Sequence, residues 1–90
     1  MKLSMSTQRA LTTWLGSDTW YKNHHFDDLR FYRFVHQYIA DHGVNSFTGD
    51  ELFAEITAFP GIDWNEPEFL SCAKEKANIM DNIIEFIRAA

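Results

Sequence analysis

The sequence predicts a small all-α protein: one domain over residues 1–90, a bundle of about four helices with a long C-terminal helix. Three observations predict it. Apolar residues recur at three- and four-residue spacing along most of the chain, and no stretch sustains the alternation of a half-buried strand. Two helix starts are specified by the same device, a capping residue followed by an acid and bracketed by an apolar pair. The 90 residues also include eight Phe, three Trp and three Tyr. At about 150–250 Å² of buried area per ring, that is enough for so short a chain to build a core despite its unfavourable surface-to-volume ratio. Hydrophobic content of 46% with only four glycines and two prolines argues for order throughout.

The first helix is expected from Thr7 to Leu15. Ala10, Leu11, Trp14 and Leu15 form its apolar stripe. Ser4 or Ser6 can cap it, and Gly16 offers a left-handed stop. A polar connector, Ser17 to His25, carries the adjacent aromatics Trp20 and Tyr21.

The second helix is expected from about Asp27 to Asp41, ending at Gly43, with Asp27 and Asp28 complementing its positive end. Leu29, Phe31, Tyr32, Phe34, Val35, His36, Tyr38, Ile39 and His42 fall in an arc of roughly 220° at about 100° per residue. So wide an arc predicts a central helix packed on two or three sides. The remaining narrow face holds Arg30, Arg33, Gln37 and Asp41, which makes Arg30 and Arg33 the basic spot of the chain.

The third helix starts at a Thr48 N-cap with Glu51 three residues on, a capping box, and with Phe47 facing Leu52 as the staple. Leu52, Phe53, Ile56 and Phe59 form its buried face, and Pro60-Gly61 end it. The fourth repeats the device with Asn65 as cap, Glu68 closing the box and Trp64 stapled to Phe69. Pro67 is tolerated in its first turn. It runs to about Arg88, with Phe69, Leu70, Cys72, Ala73, Ala77, Ile79, Met80, Ile83, Ile84, Phe86 and Ile87 on a broad apolar arc. Ser71, Lys74, Glu75, Asn78, Asp81, Asn82 and Glu85 face away.

Charge is unevenly divided. Residues 1–45 carry five Lys and Arg against four acids, net +1, whereas residues 46–90 carry three against nine, net -6. An acidic second half repels phosphate backbones and anionic membranes and suits a basic protein partner. With no long apolar run and no signal-peptide pattern, the expectation is a cytoplasmic protein off the membrane.

No catalytic signature is present, so an enzyme is not expected. His24 and His25 precede Asp27 and Asp28, and His36 and His42 lie six apart on one helix. None of these makes a metal-ligand register, so no metal and no cofactor are expected. The lone Cys72 excludes an intrachain disulfide and reads as a small core hydrophobe. The carboxylate pairs Glu51–Glu55 and Asp81–Glu85 read as solvated helix faces that incur like-charge repulsion. Lys76 falls inside the apolar arc of the last helix, where its stem can lie along the surface and its ammonium reach water, or meet a partner's carboxylate.

These features predict a small acidic protein-binding module: an adaptor, regulator or inhibitor acting by surface contact. Blocking a basic or nucleic-acid-binding partner is one form it could take. Trp20, Tyr21 and Trp64 are the expected anchors, bordered by Asp63, Glu66 and Glu68, with Lys76 at the interface edge. The partner is expected to be a larger, basic protein, and a homodimer is compatible with so many apolar residues. The alternative is a helix-turn-helix-like DNA-binding regulator that would use the last two helices, or Arg30 and Arg33, against nucleic acid. It is disfavoured because the presumptive reading helix opens on Asn65, Glu66, Pro67 and Glu68 and has no Lys or Arg in its first two turns.

Overall fold

The computed structural model describes residues 3–17, 28–45 and 48–90. Among the described residues the fold is all-α, as expected, with four helices of which the last is the longest: α1 (Met5–Leu15), α2 (Asp28–His42), α3 (Gly49–Thr57) and α4 (Pro67–Ala89). Packing divides it into two compact units, Met1–Asn45 with α1 against α2 and Ser46–Ala90 with α3 against α4. The boundary coincides with the charge boundary, so the -6 half of the sequence is one structural unit.

In the first unit, α1 begins two residues earlier than its apolar stripe requires, because Ser4 is the cap and accepts the Thr7 N–H. Gly16 does not stop the helix in a left-handed conformation. Its φ is -78°, and its N–H continues the ladder to the Thr12 carbonyl at 2.7 Å. Glycine suits the position because a Cβ there would lie 2.6 Å from that same oxygen. The expected stop at Gly43 is present, with φ +78°, which favours glycine. Trp14 is fully buried, 4.9 Å from the Phe31 ring and 5.8 Å from Phe34, and Phe34 in turn lies 6.5 Å from Tyr38. Tilted ring pairs of this kind add about 0.5–1.5 kcal/mol each beyond their buried area.

The broad apolar arc of α2 is only partly covered. Phe31, Phe34, Val35 and Tyr38 are buried and span about 100° of the circumference. Leu29, Tyr32 and His36, at one edge of the expected arc, are exposed. Within the first unit, the described helix that packs against α2 is α1.

In the second unit, Thr48 caps α3 and accepts the Glu51 N–H at 3.2 Å. The Phe47 half of the expected staple lies outside the described residues, as do Trp20, Tyr21, His24, His25 and Asp27. Leu52 and Ile56 are buried, and Phe53 and Phe59 are half-buried. Helix α3 ends at Thr57, ahead of Pro60, since the residue before a proline is turned away from helical geometry. Gly61 then turns the chain with φ +88°.

The N-cap of α4 is Glu66, not Asn65, and it makes no side-chain capping bond. Pro67 at the first helical position sets the start, because its missing N–H needs no acceptor there. The Asn65 N–H instead closes on Asp63 Oδ1 at 3.0 Å. Cys72, Ala73, Ala77, Met80 and Ile84 lie on the buried face of α4, and Cys72 is a buried cysteine outside any disulfide. Phe86 and Ile87, expected on the apolar face, are exposed. Among the described residues, no helix is long and apolar enough to cross a membrane.

Candidate binding surfaces

The acidic corner of the second unit is built by the turn between α3 and α4. Trp64 Nε1 donates to the Phe59 carbonyl at 3.1 Å, pinning the indole over the end of α3. The ring is half-buried, and Asp63, Glu66 and Glu68 are exposed around it. Of the seven residues expected to bind a partner, Asp63, Trp64 and Glu66 thus share this turn and Glu68 follows in the first turn of α4. Asp63 Oδ1 is partly engaged by the Asn65 N–H, which fixes the rim.

Lys76 is placed differently from the expectation of a lysine reaching water. It is 3% exposed, withdrawn among the buried face of α4. Lys74, two residues earlier on this helix, is exposed, and its ammonium lies 5.9 Å from the Phe53 ring centroid. That distance is within cation–π range and ties α4 to α3.

The Asp81–Glu85 pair is not simply a solvated face. Asp81 Oδ1 accepts the Gly49 N–H at 2.6 Å and so caps the first turn of α3 from α4. The carboxylate is committed to holding two helices together.

The first unit holds a second surface. Arg30 and Arg33 are both exposed and line an open groove of about 490 Å³ with Leu29, Tyr32, His36 and Ala10. Leu29 is 62% exposed and Tyr32 47%, large apolar groups left beside two guanidinium groups. Leu29, Tyr32 and Phe86 were not among the expected binding residues. The signal for the first two was present: an apolar arc of roughly 220° is wider than one neighbouring helix covers, so an edge of it must stay open unless a further element covers it.

At the far end of the first unit, polar contacts join α1 to α2. Asp41 Oδ2 accepts the Ser4 and Thr7 hydroxyls, and Asp41 Oδ1 accepts Gln37 Nε2 at 3.0 Å. These bonds, led by that of Ser4, hold the Asp41 carboxyl below its usual pKa, with a further contribution from nearby His42. His42 Nε2 accepts the Ser4 N–H at 3.0 Å, and its ring stacks on Tyr38 at 4.9 Å. The cluster is a structural clasp: each hydroxyl proton is already given to the carboxylate. Among the described residues, no three His, Cys, Asp or Glu side chains come together as metal ligands. No protein-family model, curated protein or solved structure matches this chain.

Proposed function

We propose that the protein is a non-catalytic binding module, an adaptor, regulator or inhibitor, whose acidic unit Ser46–Ala90 engages a larger basic protein in the cytoplasm. The observation that carries this reading is the corner at Trp64. A half-buried indole, fixed by its bond to the Phe59 carbonyl, stands among the exposed carboxylates of Asp63, Glu66 and Glu68. An aromatic held in one orientation loses little conformational entropy on binding, and a surrounding ring of like charge steers an oppositely charged partner into register. The concentration of negative charge in this unit extends the same field.

The test is capture from the native cell with the full chain and with the E66K/E68K variant, followed by reconstitution of each binary complex. The expected partner is basic, is retained by the wild type and lost by the variant. Its affinity should fall at least about tenfold between about 0.05 M and 0.5 M salt, as screening shortens the range of the attraction. A partner that binds both chains equally, or whose affinity is flat with salt, overturns the reading.

A further inference from the structure

Among the described residues, two exposed apolar features, one on α2 and one on α4, are complementary to one another. The groove of the first unit is apolar at Leu29 and Tyr32 and cationic at Arg30 and Arg33. On α4, Ile79, Ile83, Phe86 and Ile87 recur at four-, three- and one-residue steps, the spacing of a helix ridge that enters a groove. Phe86 is 76% exposed and Ile87 40%, while Ile79 and Ile83 are half-buried at the edge of the core face. Glu75, one turn before Ile79, lies at the edge of this ridge by helical spacing and is exposed, opposite in sign to the groove's arginines. The overall charges agree, net +1 for the unit with the groove and net -6 for the unit with the ridge.

We propose that the chain self-associates through these surfaces: the Ile79–Ile83–Phe86–Ile87 ridge of one copy docks in the Leu29–Tyr32 groove of a second copy, with the cationic side of the groove at Arg30 and Arg33 toward the acidic edge of the ridge at Glu75. The occupant is assigned from the charge and the apolar pattern together. A free acidic helix would satisfy the groove alone, but a second copy of this chain also removes Phe86 and Ile87 from water, so one contact accounts for both exposed features. The interface is heterologous, pairing a groove with a ridge instead of a patch with itself. The proposal is independent of the Trp64 corner, which takes no part in it.

The experiment is sedimentation velocity on the full chain and on two variants, Leu29→Glu in the groove and Phe86→Glu on the ridge. Each substitution sits at an exposed position, and circular dichroism verifies that each variant retains wild-type helicity. The wild type is expected to self-associate reversibly. Each variant alone should do so at least about thirtyfold more weakly, the loss that accompanies removal of a central apolar anchor. An equimolar mixture of the two should regain association, because the intact groove of Phe86→Glu can receive the intact ridge of Leu29→Glu. A wild type that stays monomeric at millimolar concentration overturns the proposal. So does either variant associating as well as the wild type, or a mixture no stronger than its components.

Discussion

The backbone N–H of Gly49 donates to the Asp81 carboxylate across 2.6 Å, so a side chain of α4 caps the first turn of α3. The same closeness excludes any larger residue. A Cβ at position 49 would sit 2.7 Å from the Ala77 carbonyl oxygen and press directly on the Asp81 carboxylate. Alanine at a helix position ordinarily gains about 1 kcal/mol over glycine. Here Gly49→Ala is expected to destabilise by about 1–3 kcal/mol through overpacking, and Asp81→Ala by about 1 kcal/mol through loss of the cap. Urea denaturation of both variants checks the pair, and a stabilised Gly49→Ala would mean the two helices are not held this closely.

The Ser4–Thr7–Asp41 clasp has a pH signature. Folding lowers the Asp41 pKa, chiefly through the Ser4 and Thr7 hydroxyls. Stability from this group is therefore complete above the unfolded carboxylate value of about 3.9 and fades as pH falls through the lower folded value. Asp41→Asn should remove that contribution and leave a shallower loss of stability on the acid side below about pH 4. Denaturation midpoints followed from neutral pH downward would show the difference, and parallel curves would refute it.

The neighbouring His42 tests the same junction by a different route. Its Nε2 accepts the Ser4 N–H, and its ring stacks on Tyr38 with planes 20° apart. Phenylalanine at position 42 keeps the stacking and removes the acceptor. His42→Phe is expected to cost about 1–3 kcal/mol, the penalty for a part-buried donor left without its partner. Faster hydrogen exchange at the Ser4 amide should accompany the loss. An unchanged amide would show that the bond contributes nothing.

Much of this architecture is legible in the sequence because it is local. Thr48 with Glu51 three residues on, and Ser4 ahead of an apolar stripe, write helix starts into a few adjacent positions. Periodicity likewise identifies Trp14, Phe31, Phe34, Tyr38, Leu52 and Ile56 as core. What escaped depends on neighbours distant in sequence. That Asp81 caps Gly49, 32 residues away, is not encoded by spacing along α4. Nor does an apolar arc reveal which of its edges goes uncovered, so Leu29, Tyr32 and Phe86 looked like core until packing left them outside. Asn65 is instructive in the opposite sense. It is a good capping residue two positions ahead of Pro67, yet proline's preference for the first helical position moved the boundary past it.

The Trp64 corner separates a structural role from a binding one. Trp64→Phe keeps an aromatic ring and removes the bond to the Phe59 carbonyl, so the loss of that bond should cost about 0.5–1.5 kcal/mol, the usual net value of one hydrogen bond. Trp64→Ala also removes a half-buried ring and should cost about 2 kcal/mol, below the roughly 3–5 typical of a fully buried one. If the indole is the anchor for a basic partner, Trp64→Ala should weaken binding by more than its loss of stability can explain, with far-UV dichroism showing the helices intact at the assay temperature. Trp64→Phe should retain part of the affinity, since the apolar ring persists but is no longer fixed in orientation. Isothermal titration of the wild type and both variants reads this order directly. Equal affinity for all three would confine Trp64 to holding the turn between α3 and α4, and would move the anchor elsewhere on the acidic unit.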